Sequence, residues 1–171
     1  MVKMHLINNT KDNVEYLNLY DKNGKLLKEK GIRGQKTDYY MGISIIYIEN
    51  SKGEFLIQKT SSNRGNIYAT TGGHVDYGWS FEDTIIKEVK EELGISINKE
   101  EIEEKCTCVW NHYFQKIYYL KKDIDIKDII IQKEEVQFVK WLNKDEIDNL
   151  IKNNQFREGN IAGYKYVIGN K

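Results

Sequence analysis

The sequence predicts a layered fold of the α/β or α+β class, in which a mixed β-sheet lies between helices. Strand-like segments precede and follow a helical segment in the middle of the chain, and a second helical segment comes late. The stretch MGISIIYI at 41–48 is apolar almost throughout, as expected of a strand that is buried on both faces. Strands and helices in this order are typical of a sheet covered by helices on both sides.

The N-terminal half is predicted to form strands joined by tight turns. Residues 14–31 read as a hairpin, because Asn23 and Gly24 form a strong turn signal between two strand-like runs. Residues 39–61 give two further strands around a turn at 50–53. The segment NIYATTGGHV at 66–75 predicts a short strand that runs into a double-glycine turn.

A helix is predicted over residues 80–93. Ser80, followed by Asp83 three residues later, has the pattern of a capping box. Gly94 supplies the expected C-terminal stop. The apolar stripe of this helix consists of Ile85, Ile86, Val89 and Leu93.

The C-terminal half adds three strands and a second helix. Residues 97–122 predict two antiparallel strands, and residues 136–142 predict one more. A helix is predicted over 143–154, with Asn143 and Glu146 as its cap pair. Residues 155–171 receive no assignment. No repeat, linker or low-complexity segment divides the chain, so residues 1–171 are interpreted as a single domain.

Composition narrows the class of protein. The 171 residues include 26 Lys+Arg and 26 Asp+Glu, so the formal net charge is zero. This balance gives no general attraction to nucleic acid or to an acidic membrane surface, and neither partner is expected. No signal peptide or membrane span is predicted, and free thiols at Cys106 and Cys108 fit a reducing cytoplasm. The sequence leaves oligomeric state open, with a homodimer as one alternative.

Three glutamates on the predicted mid-chain helix carry the chemical signal. At 100° per residue, Glu88, Glu91 and Glu92 line one flank of the helix, beside its buried stripe. Oxygen ligands in this arrangement suit a hard cation such as Mg²⁺. The double glycine just before the helix lets the backbone approach the same place. The alternative is a solvated acidic face, which Lys87 and Lys90 could neutralise.

The stretch from Gly73 to Ile95 resembles the Nudix box, G-x5-E-x7-R-E-U-x-E-E-x-G-U, where U is a bulky aliphatic residue. Two positions depart from the pattern, because Trp79 stands at its first glutamate and Lys87 at its arginine. We expect Trp79 to lie at the junction of loop and helix and to pack on apolar surface there. The agreeing positions are Gly73, Glu88, Val89, Glu91, Glu92, Gly94 and Ile95.

The resemblance covers roughly residues 15–150 and is similar to the branch that includes isopentenyl-diphosphate isomerase. It implies an α/β/α sandwich and hydrolysis of a nucleoside diphosphate derivative, a small-molecule diphosphate substrate, with Mg²⁺ or Mn²⁺ as cofactor. Glu88 and Glu92 would hold the metal, with Glu91 as a third ligand or base. The carbonyl of Gly73 would add a ligand. The same resemblance leads us to expect a pyrophosphohydrolase.

Further residues are candidates for substrate binding. Cationic contacts to phosphate are expected from Arg33, Lys59 and Arg64, although each could be ordinary surface charge. His74 follows the double glycine and could face the phosphates or make a structural hydrogen bond. Glu135 precedes the last predicted strand, where it could serve as an extra ligand or base, or simply be solvated.

Two other functions stay open from the sequence. Trp79 and Lys87 raise the alternative of a catalytically weak or inactive module that binds a nucleotide. An isopentenyl-diphosphate isomerase is disfavoured, because that enzyme would need a cysteine close before the box and residues 66–73 contain none.

Overall fold

A computed structural model describes residues 14–170. It has the predicted layered architecture, a mixed sheet between helices. The strands are β1 (Tyr16–Tyr20), β2 (Leu26–Ile32), β3 (Tyr40–Glu49), β4 (Phe55–Thr60), β5 (Tyr68–Ala69), β6 (Gly72–His74), β7 (Glu103–Trp110), β8 (Tyr113–Lys121) and β9 (Val136–Leu142). The helices are α1 (Phe81–Leu93), α2 (Lys144–Lys152) and α3 (Glu158–Gly169), with short 3-10 turns at Ser62–Arg64, Lys99–Glu101 and Ile126–Asp128.

The central strand is β3. It pairs in parallel with β8 and antiparallel with β1 and β6, which makes the sheet mixed as predicted. Ile46 and Tyr47 on this strand are fully buried, which agrees with its apolar sequence. The predicted hairpin at 14–31 is present as the antiparallel pair β1 and β2.

Strands β3 and β4 separate from each other beyond the turn that joins them. The registered pair between β3 and β4 is Glu49 with Phe55, next to the turn that joins the two strands. Further along, β3 pairs with β6, whereas β4 pairs with β5 and β9. The segment 66–75, predicted as one strand and a turn, therefore forms two short strands on the two sides of this split.

Each face of the sheet is covered by helices. One core, which includes Ile46, Leu56 and Tyr118 of the sheet, packs against Ile85, Val89 and Leu93 of α1. The other core contains Tyr47, Phe55 and Ile57 of the sheet together with Ile147 of α2 and Tyr164 of α3. None of the helices within residues 14–170 is long and apolar enough to cross a membrane.

The helix α3 was not predicted, since the tail had no assignment. It packs closely on the sheet, because an added Cβ at Gly163 would lie 2.7 Å from Cδ1 of Ile117. The two cysteines, both on β7, are free thiols as predicted, with their sulfur atoms 3.7 Å apart.

Candidate active site

Local capping fixes where α1 begins and ends. The Ser80 side chain accepts a hydrogen bond from the backbone N–H of Asp83 at 3.0 Å, and Ser80 is the N-cap residue. Gly94 adopts a left-handed conformation with φ of 69° and donates its N–H to the carbonyl of Lys90. Both ends were predicted from the sequence. Because they are fixed, the direction in which each glutamate of the helix points is fixed as well.

Two of the glutamates, Glu88 and Glu92, lie one turn apart on the side of α1 that faces the sheet. Glu92 is 4% exposed, and its Oε2 accepts a hydrogen bond of 3.1 Å from Nε2 of Gln58 on β4. Burial is the main cause that raises the pKa of Glu88 to about 7, and burial together with the Glu88 carboxylate raises that of Glu92 to about 8. Two neighbouring carboxylates in this state favour either a proton or a cation between them.

The double glycine closes the site from the opposite side. An ideal Cβ on Gly73 would lie 2.3 Å from Oε1 of Glu88, so no larger residue fits unless Glu88 moves. An ideal Cβ on Gly72 would lie 2.5 Å from the backbone oxygen of Ser44 on the neighbouring strand. Glycine is therefore required at both positions for close packing, and at Gly73 the backbone comes next to the partly buried carboxylate of Glu88.

The third glutamate, Glu91, is turned towards the rim. Its side chain is about half exposed, and its Oε2 lies 3.8 Å from Nζ of Lys87. Lys87 also forms an ion pair of 3.2 Å with Oδ2 of Asp76, in the loop that follows β6. Lys87 thus connects the helix to the loop through Asp76, and it also approaches Glu91 on its own helix.

The donors present at this site fit a divalent cation with oxygen ligands. Within residues 14–170, no three His, Cys, Asp or Glu side chains are arranged to enclose a metal ion on their own. Mg²⁺ does not need such a cage, because it usually keeps several waters and binds through one or two carboxylates. Glu88 and Glu92 supply those carboxylates, and a cation between them would relieve the cost of burying both as anions.

These carboxylates open onto a cavity of about 340 Å³. It also contains Glu15 and Arg33, which form an ion pair of 2.6 Å, and Arg64 and Glu135, which form a second pair. Of the predicted site residues, the structure brings nearly all of them to this one cavity. They are Gly73, His74, Glu88, Glu91, Glu92, Arg33, Arg64 and Glu135.

Lys59 is the predicted residue that does not line the cavity. Its neighbour Gln58 points at Glu92, and successive side chains of a strand point to opposite faces, so Lys59 faces the other way. There its ammonium lies 4.4 Å from the centre of the Tyr68 ring. The structure therefore gives Lys59 an aromatic contact in place of the expected phosphate contact.

His74 lies in the cavity but is suited to a neutral role. Its ring packs edge-on against Tyr113, with ring centres 5.5 Å apart. Burial, together with the nearby positive charges of Arg33 and Arg64, lowers the pKa of His74 to about 4. The imidazole is thus uncharged near neutral pH.

Trp79 stands directly before the Ser80 cap, as predicted, but it does not pack as expected. The side chain is 44% exposed, and the centre of its ring lies 5.5 Å from Nζ of Lys87. The backbone of Trp79 is held firmly, since its N–H donates to the carbonyl of Asp76 and its own carbonyl accepts from Nδ2 of Asn18.

The polar residues of this site that sequence reasoning missed include Gln58, Asp76 and Arg157. Gln58 and Asp76 carried no motif signal, because their contacts with Glu92 and Lys87 depend on how distant segments pack. For Arg157 a signal was available. The sequence has only three arginines against 23 lysines, and all three arginines line this cavity.

Comparisons with known proteins agree with the fold and show the family. The family model described as the NUDIX domain matches residues 38–162. An uncharacterised Nudix hydrolase of Listeria monocytogenes is 28% identical over 150 residues, which cover 84% of this chain and 88% of that protein. A crystal structure of a Deinococcus radiodurans protein superimposes with a TM-score of 0.76 at 17% identity, covering 92% of this chain and 100% of that one. MutT, from a study of the Aliivibrio salmonicida and Vibrio cholerae proteins, gives a TM-score of 0.60 at 22% identity, over 77% and 99% of the two chains.

Proposed function

Since the chain belongs to the Nudix hydrolase family, we propose that it is a metal-dependent pyrophosphohydrolase that cleaves the diphosphate linkage of a nucleoside diphosphate derivative. The observation that carries this proposal is the pair of the partly buried Glu88 and the buried Glu92. Glu88 faces the backbone of Gly73, inside a cavity that also contains arginine side chains. Carboxylates on one wall suit a divalent cation, and guanidinium groups on another suit phosphate.

The chain's own residues divide the work of this reaction. Glu88 and Glu92 would hold Mg²⁺ or Mn²⁺, with the carbonyl of Gly73 as a further ligand. Such an ion, when bound, neutralises the diphosphate and lowers the pKa of a bound water. Gln58 donates a hydrogen bond to Glu92 and so keeps that carboxylate in one orientation.

Glu91 is the candidate base. It lines the cavity, and Lys87 lies 3.8 Å from one of its oxygens. In this role it accepts a proton from the attacking water, while Lys87 limits where the carboxylate can move. His74 would serve as a neutral hydrogen-bonding group beside the substrate, since the pKa of this histidine is low.

The two alternatives have less support. The inactive module was motivated by Trp79 and Lys87, yet Lys87 has a carboxylate partner in Asp76 and remains tied to the loop. For isopentenyl-diphosphate isomerase, neither Cys106 nor Cys108 is among the residues that line the cavity.

The test is a screen of nucleoside diphosphate derivatives with Mg²⁺ and with Mn²⁺, following release of nucleoside monophosphate. We expect turnover by the wild-type chain, and a loss of at least about 100-fold in Glu92→Gln. Mn²⁺ affinity, measured by titration, should fall in the same variant. The matched control is Glu82→Gln, which removes one charge from the exposed face of the same helix, where Glu82 lies 3.7 Å from Lys99. Hydrolysis with no metal, or equal turnover in Glu92→Gln, would contradict the proposal.

A further inference from the structure

The distribution of arginine in this chain is uneven in a way that points to a ligand. Lysine outnumbers arginine by 23 to three, yet Arg33, Arg64 and Arg157 all line the same cavity. Among residues 14–170, the lysine that lines it is Lys87. A guanidinium is planar and presents a fork of N–H donors, which matches the oxygens of a phosphoryl group in a way that an ammonium does not.

The three arginines are not equally available to a ligand. Arg33 is paired with Glu15, and Arg64 is paired with Glu135. Arg157 differs, because no carboxylate in the described part of the chain lies within ion-pair distance of its guanidinium. The hydrogen bond that its side chain makes is from Nη2 to the backbone carbonyl of Arg64, at 3.1 Å. Most of its N–H donors therefore remain for something else.

The position of Arg157 is set by the sheet. The N–H of Tyr68 donates to the carbonyl of Gln155, and the N–H of Arg157 donates to the carbonyl of Tyr68, so residues 155–157 lie alongside β5. Phe156 is 3% exposed and belongs to the core beneath α3. Successive side chains of an extended segment point to opposite sides. Since Phe156 points into that core, the side chain of Arg157 points to the cavity. The guanidinium is thus held in place before any ligand arrives.

Burial makes an unpaired guanidinium costly. Arg157 is half-buried, and desolvation lowers the pKa of its side chain. The carboxylates of Glu92 and Glu135 are its favourable electrostatic neighbours, but neither forms an ion pair with it. A partly desolvated cation without a contacting anion is expected where an anionic ligand completes the site.

We infer that Arg157 is the phosphoryl-binding residue of this site, with a forked contact to one phosphoryl group of a diphosphate. This deepens the proposed function, on which it rests for the identity of the ligand as a diphosphate. Arg157 lines the same cavity as Glu92 and interacts with it electrostatically, so the phosphoryl group that it holds lies in the same cavity as the carboxylates assigned to the metal. Its role is to bind and orient the substrate, and Arg64 supports it through its backbone carbonyl.

The experiment uses methylenediphosphonate, a diphosphate analogue that cannot be hydrolysed, and measures its affinity by calorimetry in the presence of Mg²⁺. Arg157→Gln should weaken binding roughly 10- to 100-fold, as expected for the loss of charged hydrogen bonds. Arg157→Lys should recover only part of that loss, because lysine offers a point charge without the fork. Lys165→Gln is the control, since it removes one positive charge from an exposed position on α3. Melting temperatures verify that each variant is folded.

The outcomes separate this inference from the proposed function. If Arg157→Gln binds the analogue within about twofold of the wild-type chain, the inference is wrong, whether or not the chain hydrolyses nucleotides. Full recovery in Arg157→Lys would overturn the forked contact. If no nucleoside diphosphate derivative is cleaved but Arg157→Gln still loses affinity, the phosphoryl site stands and the proposed reaction falls. Should Arg157→Gln fail to fold, the comparison of Arg157→Lys with the wild-type chain decides the question.

Discussion

Lys87 on α1 forms an ion pair of 3.2 Å with Asp76 in the loop before that helix. The pattern of the Nudix box places an arginine at position 87 and a glutamate at position 79, where this chain has Trp79. Asp76, three residues earlier, provides a carboxylate to the cation at position 87. The link between loop and helix is therefore present with two different residues, and the cation also approaches Glu91 at 3.8 Å.

This pairing leads to the first prediction. Asp76→Asn and Lys87→Gln should each lower turnover by about 10- to 100-fold, as is typical when a residue that supports the groups at a metal site is removed. Stability should change by less than about 1 kcal/mol, because both side chains are about one-third exposed and the ion pair is screened by solvent. Steady-state kinetics and melting temperatures of the two variants measure these effects.

The double variant is the decisive part of that experiment. If the two residues act as one unit, Asp76→Asn combined with Lys87→Gln should be no slower than the worse single variant. Lys90→Gln serves as the control, since Lys90 contacts Gly94 and Ser96 at the other end of the helix. Losses that simply multiply in the double variant would show that the ion pair has no catalytic role.

The second prediction concerns the close approach of Gly73 to Glu88. In Gly73→Ala the new methyl group meets the end of a flexible side chain, so the fold should survive while Glu88 is displaced. Mn²⁺ affinity should fall about tenfold or more, which corresponds to roughly 1.4 kcal/mol. Gly72→Ala should behave differently, because its methyl group meets the backbone oxygen of Ser44 and the cost should appear as lost stability. Titration with Mn²⁺ and thermal melts distinguish the two effects.

The control for these glycines is Gly169→Ala. An added Cβ at Gly169 has no atom within 4 Å, so neither metal affinity nor stability should drop. A Gly73→Ala variant with unchanged Mn²⁺ affinity would mean that Glu88 does not need its present position to hold the cation.

The third prediction is the pH dependence of stability without metal. The pKa values of Glu88 and Glu92 are raised from 4.5 to about 7 and about 8, mainly by burial. Between pH 6.5 and 8 the folded chain therefore binds more protons than the unfolded chain, so the free energy of unfolding falls as pH rises. The decrease should be about 2 kcal/mol. Urea denaturation in the presence of a chelator measures it.

Other titrating groups and variants test whether Glu88 and Glu92 cause this pH dependence. The pKa of His74 is lowered from 6.5 to about 4, so its contribution has the opposite sign, is mostly complete at pH 6.5 and adds little within the chosen window. Glu92→Gln should flatten the pH dependence. Saturating Mg²⁺ should also remove it, because the cation binds the deprotonated carboxylates. A free energy of unfolding that rises from pH 6.5 to 8 in the metal-free chain would contradict the raised pKa values of Glu88 and Glu92.

The parts of the site that the sequence predicts are those fixed by local rules. The cap at Ser80, the stop at Gly94 and the 3.6-residue period together determine the face on which Glu88 and Glu92 lie. Each of these signals acts over a few residues, so it can be recognised without knowing the rest of the fold. The strand at 136–142 was likewise predicted with the bounds it has in the structure.

The parts that could not be predicted depend on contacts between distant segments. The helix α3 contains Gly159 and Gly163, which disfavour a helix locally but allow it to pack on the sheet. Arg157 reaches the cavity only because Phe156 lies beside Tyr68. Lys59 was misplaced because its charge suggested a phosphate contact, whereas the alternation of the strand turns it to the opposite face.

The last prediction concerns Trp79, which the structure shows to be 44% exposed. We expected a packed ring whose removal would lower stability, and the observed exposure changes that expectation. Trp79→Glu should lower the free energy of unfolding by no more than about 1 to 2 kcal/mol, because nearly half of Trp79 is exposed and the new carboxylate lies favourably beside the N-terminus of α1.

Turnover of Trp79→Glu should stay within about threefold of the wild-type value, a difference of roughly 0.7 kcal/mol. The physical reason is that Lys87 already has a carboxylate partner in Asp76, so a glutamate at position 79 adds a second one without supplying a missing contact. The control combines Trp79→Glu with Asp76→Asn. In that background the new glutamate should restore part of the lost turnover, because Lys87 then has no aspartate to pair with. Turnover that rises markedly in the single variant would instead mean that the wild-type chain is a weakened hydrolase, limited by the acid it lacks at position 79.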